Sequence, residues 1–376
     1  MDSLKGGERK VCQIRRALYG LKQAGRQWNK RLDQELKRLN FKPLRTDPCL
    51  YHLKENEQLG IIAVYVDDVI IAASSDEFMK KIKCDLMAAF KMKDEGSIHY
   101  CLGIEFIQKE DFSVFMSQKR SSEKILKDYA MQDCNVVKSP MDHKLQLLKS
   151  SEPSDPKIPY RALIGSLMYL SITTRPDITF AVNYLSQFNS CYNSTHWEAA
   201  KRILRYIKGT ITYGLQFQET TEMLYGSIDS DWGEDKNDRK SYTGVVFVMS
   251  GGPVVWRTRK QQTVALSSTE AEYMALTEGL REAKYLRNVL SELDLLPNPQ
   301  VIYNDNKGAE FLVKNPAIND KSKHIDIKFH YIRDEYNNKI IDIVHKPSED
   351  ILADIFTKSL SPVTHTKLVK SLNMQM

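Results

Sequence analysis

The run LGIIAVYVDDVIIAA, Leu59 to Ala73, constrains this chain most: it is the longest apolar stretch, and Asp67 and Asp68 interrupt its centre. A membrane span needs about 20 apolar residues, so this run cannot be one. Its two β-branched halves read instead as strands joined by a tight turn, with both carboxylates at the tip. Asp suits turns for local reasons. Adjacent oxygen donors also suit a hard divalent cation such as Mg²⁺. Two like charges held between apolar strands raise each other's pKa unless a cation neutralises them.

No other stretch offers a membrane span, and the N-terminus MDSLKGGERK lacks the hydrophobic core of a secretory signal. Six cysteines are dispersed without a C-x-x-C pair. Zinc is therefore not expected, and free thiols fit a reducing compartment, cytoplasmic or nuclear, with no membrane partner. The net charge of +6 is unevenly placed: residues 1–58 carry 14 Lys+Arg against 7 Asp+Glu, which leaves −1 for the remainder. One basic end points to phosphate. Length alone, 376 residues, suggests about two to four domains.

Helical spacing of Trp28, Leu32, Leu36 and Leu39 predicts a helix from about Gly25 to Leu39, with Arg26, Lys30, Arg31, Lys37 and Arg38 on its other face. Residues 76–90 read as helix, 102–116 as a second hairpin turning at Lys109–Asp111, and 117–132 as helix. The Ser/Pro/Asp-rich stretch Lys138 to Pro159 reads as a linker, followed by helices near 160–171 and 195–208. From Met223 the order becomes three strands, a long helix, strand, two helices, strand and helix, which packs naturally as a mixed sheet with helices on its faces. The last 16 residues form a tail.

The second acidic constellation lies in this segment. Asp229 ends the strand MLYGSID, with Asp231 two residues on. Glu272 starts the long helix, Asp305 ends VIYND, and Asp354 lies in the last helix, DILADIFTK. Each has a local alternative. Thr269-x-x-Glu272 matches a capping box, Asp305-Asn306 suits a turn or cap, and Asp354 complements a helix N-terminus. Converging at one sheet edge, they could hold two Mg²⁺ ions about 3.5–4 Å apart for phosphodiester cleavage.

Eleven blocks in fixed order make the chain resemble the C-terminal part of the Pol polyprotein of copia-type long-terminal-repeat retrotransposons. They include ALYGLKQAGRQWN (17–29), YVDDVIIAA (65–73), PYRALIGSLMYL (159–170), TRPDITFAVNYLSQF (174–188), DSDWGEDKNDRKSYTG (229–244), ALSSTEAEYMAL (265–276), NDNKGA (304–309) and ADIFTK (353–358). The resemblance implies an α+β and α/β multidomain fold. Its parts are a partial reverse-transcriptase palm with the YVDD hairpin (1–75), a thumb-like region (76–137), a linker and helical connection (138–222), and a ribonuclease H-like mixed five-stranded sheet with flanking helices (223–360). A tail follows (361–376). It further implies Asp67 and Asp68 as ligands of the polymerase metals, and Asp229, Glu272, Asp305 and Asp354 as the metal-binding carboxylates of the ribonuclease H part. Asp231 is then an accompanying acid, and His345 stands where the mobile histidine of cellular ribonucleases H could stand. Mg²⁺ or Mn²⁺ is the implied cofactor. Lys22, Gln23, Arg26, Lys30 and Arg31 become nucleic-acid contacts. The implied partners are an RNA–DNA hybrid, template RNA or DNA, and the remainder of the polyprotein.

The chain also departs from the pattern. The family's further palm Asp, upstream of LYGLKQ, has no counterpart here, so this chain alone is expected to be inactive as a polymerase. Gly25 replaces a usual Pro, and Ser121-Ser122 a common aromatic. Two alternatives fit the same blocks: a non-catalytic nucleic-acid-binding remnant, domesticated or decaying, and a translated fragment without a stable fold.

Overall fold

The computed structural model describes residues 17–18, 20–143, 145–151, 153–295, 299–315 and 326–375. Cys12 and the charges before Ala17 lie outside the described residues. The chain divides into two compact units, one comprising residues up to Gly96 together with Glu292–Asp294, the other the remainder.

In the first unit, helix α1 (Ala24–Arg38) precedes strands β1 (Lys42–Pro43), β2 (Leu50–Glu55), β3 (Gln58–Tyr65) and β4 (Asp68–Ala73) and helix α2 (Asp76–Ala89). The strands form an antiparallel sheet in sequence order. Leu32 and Leu36 of α1 meet Tyr51, Leu53, Ile62, Phe78, Ile82 and Leu86 in one core. At Gly60, a Cβ would lie 2.7 Å from Ile82 Cδ1, so the glycine is what lets α2 lie close on β3. Ser75 starts α2 by accepting a hydrogen bond from the Phe78 N–H. The expected hairpin is present, with Tyr65 opposite Asp68. Its strands, however, alternate between covered and open faces, because only one face of this sheet carries helices.

The second unit begins with β5 (Tyr100–Cys101), β6 (Ile104–Gln108), β7 (Val114–Ser117) and α3 (Lys119–Asp128). Helices α4 (Tyr160–Thr173), α5 (Thr179–Ser186) and α6 (Ser194–Gly209) follow, then β8 (Gly214–Phe217). The hairpin expected over 102–116 is β6–β7. Among its described residues, the Ser/Pro-rich stretch before α4 has no regular element but is not loose. Met141 and Leu147 are buried against the helices, and the Leu147 N–H donates to Tyr184 Oη. The TRPD block turns out to be a bolt. Buried Arg175 grips Asp177 with two parallel bonds, Nε to Oδ1 at 2.9 Å and Nη2 to Oδ2 at 2.7 Å, and donates to Thr210 as well. Tyr206 donates to the same carboxylate. Losing one partner of such a buried pair costs about 3–5 kcal/mol.

The chain continues with β9 (Tyr225–Ser230), β10 (Tyr242–Met249), β11 (Gly252–Lys260), α7 (Ser268–Glu292), β12 (Gln300–Asn304), α8 (Lys307–Lys314), α9 (Asp326–Asn337), β13 (Ile341–His345), α10 (Pro362–Ser371) and β14 (Met374–Gln375). Strands β9 to β13 build a mixed five-stranded sheet in the order β11-β10-β9-β12-β13, antiparallel in its first half and parallel in its second. This is the mixed five-stranded sheet with flanking helices expected of a ribonuclease H-like part. One expectation needs correction at its end, and one open point is filled. Asp354 lies in a short 3₁₀ turn, Leu352–Phe356, not in an α-helix. The tail is ordered: α10 packs Leu368 and Val369 against Phe356, and β14 pairs with β8. A second antiparallel sheet, β14-β8-β7-β6-β5, is thereby closed by the last described residues. Among the described residues, no helix is long and apolar enough to cross a membrane.

Candidate functional site

Asp229 is the penultimate residue of β9 and sits across the ladder from Gly244 of β10. A Cβ on Gly244 would come 2.6 Å from the Ala353 carbonyl and 2.7 Å from Thr357 Cγ2. The bare backbone therefore lets the 352–356 turn press onto the sheet beside Asp229. From that turn Thr357 donates its hydroxyl to Asp229 Oδ2 at 2.7 Å. On the other face α7 approaches β9 closely enough that a Cβ on Gly279 would collide with Ile228 Cδ1. This close packing brings Glu272 to the strand end.

Glu272 is not a cap. Ser267 accepts from the Glu270 N–H at 3.1 Å, and Glu270 reaches back to the Leu266 N–H at 2.9 Å, so another acid performs that task. Glu272 instead accepts from the Ser230 N–H at 3.2 Å and from Asn304 Nδ2 at 2.9 Å. Asn304 also donates to the Ile228 carbonyl at 3.1 Å, tying β12 to β9. The cap of α8 likewise falls to Asn306, whose side chain accepts from the Ala309 N–H, leaving Asp305 free for other work. Half-buried Asp305 accepts from Ser348 Oγ. One oxygen each from Asp229, Glu272 and Asp305 lie within 4.8 Å of one another. Three hard oxygen donors so close fit a divalent cation.

The electrostatics agree. Burial first, then repulsion from Glu272 and Asp354, pushes the Asp229 carboxyl well above the usual carboxylate range. Burial, reinforced by Asp305 and opposed by the Asn304 hydrogen bond, raises Glu272 to about 7. Asp354 is 8% exposed and forms an ion pair with Lys358 at 2.9 Å. The Lys358 ammonium is lowered by burial, but the Asp229, Asp354 and Asp305 charges outweigh that and raise it. Close like charges in a low-dielectric pocket are unfavourable without a counter-charge.

Other expected residues lie elsewhere. Asp67 and Asp68 are exposed on the β3–β4 turn, so the reasoning from buried like charges fails there: water reaches both. Among the described residues, no third acid, His or Cys joins them. Trp28 fixes the turn by donating Nε1 to the Val66 carbonyl at 2.7 Å. Asp231 is buried but braces the backbone, accepting from the Tyr242 and Glu234 N–H groups, and burial raises it to about 6. His345 ends β13 opposite Asn304 and stays outside the three-acid group. Lys22, Gln23, Arg26, Lys30 and Arg31 are all exposed on or just before α1.

Sequence reasoning missed Gly244, Asn304, Thr357 and Lys358. Each had a signal: three stand within or at the end of the blocks NDNKGA and ADIFTK, and Gly244 closes DSDWGEDKNDRKSYTG. None is acidic, so a search for metal ligands passes them by.

The chain is similar to known proteins over most of its length. Residues 3–143 match the family described as reverse transcriptase (RNA-dependent DNA polymerase), and residues 229–338 match a reverse transcriptase-like family. The chain is 36% identical, over 94% of its length and 27% of the relative's, to the retrovirus-related Pol polyprotein from transposon TNT 1-94 of Nicotiana tabacum. It is 38% identical, over 93% of its length and 24% of the relative's, to that from transposon RE1 of Arabidopsis thaliana. It thus spans about a quarter of the length of these curated relatives. Among solved structures, LC11-RNase H1 in complex with RNA/DNA hybrid is similar over 36% of this chain and 93% of that one, at 16% identity and a TM-score of 0.28. The strand order, not that likeness, carries the fold.

Proposed function

From the premise that the chain belongs to the copia-type retrotransposon Pol family, we propose that its second unit cleaves the RNA strand of an RNA–DNA hybrid at the Asp229–Glu272–Asp305 cluster. Asp229, Glu272, Asp305 and Asp354 would hold Mg²⁺ or Mn²⁺. The ion, when bound, supplies an activated water and stabilises the leaving oxygen of an in-line phosphodiester displacement. The protein's own part is positioning. The Ser230 N–H and Asn304 fix Glu272, and Thr357 fixes Asp229. Asp305, the least buried of the three, faces an incoming phosphate most openly. Choice of the RNA strand rests on its 2′-hydroxyl and on hybrid shape. The observation that supports this reading is the 4.8 Å convergence of three acids from two strand ends and a helix.

The test is incubation of the full chain with labelled hybrid and Mg²⁺ or Mn²⁺, alongside Asp305→Asn. Cleavage that Asp305→Asn loses is the expected result. Salt-dependent hybrid binding without cleavage would instead select a non-catalytic nucleic-acid-binding role.

The first unit we assign to the polymerase region, with Asp67 and Asp68 as metal ligands and the basic face of α1 as a phosphate contact. With only two exposed acids brought together there among the described residues, primer extension by this chain alone should yield no templated product. Templated synthesis would overturn that expectation. Whether the working form includes the remainder of the polyprotein is testable by adding that remainder in trans.

A further inference from the structure

Lys358 is the cation that sits against the acidic cluster. Its Nζ lies 2.9 Å from Asp354 Oδ1, and its side chain is only 32% exposed. Its sequence neighbour Thr357 holds Asp229, so one short segment supplies both a hydroxyl and an ammonium to the acidic cluster. Among the described residues, no other Lys or Arg forms an ion pair with Asp229, Glu272, Asp305 or Asp354. Four carboxylates opposed by one ammonium leave a large formal negative charge. Two divalent ions would balance the four carboxylates, and the ammonium would then lose the net negative field that holds it.

We propose that Lys358 is a tethered counter-cation: it holds Asp354 in place and neutralises the cluster when no metal is bound, and it competes with divalent ions for the same carboxylates. Lys358 is thus a positioning residue that sets metal affinity, poising the site to hold ions weakly and release them. The inference rests on the metal-centre reading above, because the competitor it names is the ion.

The test uses the full chain in metal-free buffer and with Mg²⁺ alone, reading thermal melting and calorimetric binding, with no activity measurement. Wild type should bind Mg²⁺ weakly. Lys358→Met should lower the metal-free melting temperature and yet tighten Mg²⁺ binding, by roughly tenfold, or about 1.4 kcal/mol. Lys358→Gln, which keeps polar bulk, should move both readings in the same direction. Lys358→Arg keeps the charge and should restore wild-type affinity. A lysine that serves packing alone would lower stability without tightening metal binding. Unchanged or weaker Mg²⁺ affinity in Lys358→Met, or Lys358→Arg behaving like Lys358→Met, overturns the counter-cation role while leaving the metal centre standing. Absence of any Mg²⁺ binding by wild type overturns the metal centre itself, and this role with it.

Discussion

The chain carries two acidic groupings built on opposite terms. Asp67 and Asp68 are neighbours in sequence on an exposed two-strand turn, and little beyond the hairpin is needed to place them. Asp229, Glu272 and Asp305 come from two strands and a helix far apart in the chain, and they are gathered where burial penalises their charge. Placing them takes a bare Gly244, a close helix at Gly279, and hydrogen bonds from Asn304 and Thr357. Proximity that comes from sequence is cheap and says little about a ligand. Proximity that the fold maintains against repulsion says much more.

The sharpest way to break this contrast is to neutralise acids on each side. Glu272→Gln or Asp305→Asn should reduce hybrid cleavage roughly a thousandfold, the several kcal/mol a metal-held charge supplies. Asp67→Asn with Asp68→Asn should leave cleavage within about twofold, since neither acid belongs to the three-acid group. Equal losses on both sides would erase the distinction.

Next in size is the pH dependence. Glu272 and Asp229 have folded pKa values above their unfolded ones, so the folded chain holds protons longer. For Glu272 the stability is fully present below its unfolded value of 4.5 and is lost as pH rises through about 7. The loss should be on the order of 3 kcal/mol. Urea melts in EDTA at pH 4.5 and pH 8 would show it, and Mg²⁺ should shrink the difference. A metal-free chain that is more stable at pH 8 would contradict the buried-cluster picture.

Gly244→Val should cost about 1–3 kcal/mol by overpacking against Ala353 and Thr357, read from the urea midpoint. The smallest effect belongs to the hairpin. Val66 has φ +55° at the exposed turn, a conformation that disfavours a β-branched residue. Val66→Gly should stabilise the first unit by up to about 1 kcal/mol, seen as a raised melting temperature. Relief at the hairpin and damage at Gly244 would be opposite answers to changes at two turns-and-strands that each carry acids.

Much of this was legible beforehand for physical reasons. The YVDD hairpin has an apolar pattern on both sides of a polar tip. Asp229 and Asp305 end short, largely apolar strands, and the order from β9 to β13 follows from alternating strand and helix periods. Other features left no local trace. Strand β14 is two residues long and finds its partner far back in the chain, at Leu215 and Gly214, so no periodicity announces it. DILADIFTK has a helical look, but Gly244 holds part of it against the sheet as a 3₁₀ turn. The capping alternative at Thr269-x-x-Glu272 is not taken up because Ser267 and Glu270, two residues earlier, satisfy the helix start. Lys358 matters only through acids that tertiary structure brings to it.

The pairing of β14 with β8 also bears on synthesis. On a ribosome, β5 to β8 emerge by residue 217, but the strand that covers the outer side of β8 comes only with residues 374–375. At about 5–20 residues per second, that leaves an open strand edge on the nascent chain for roughly ten to thirty seconds. Neighbouring chains on one polysome would present identical open edges to each other during that interval, an opening for co-translational strand exchange.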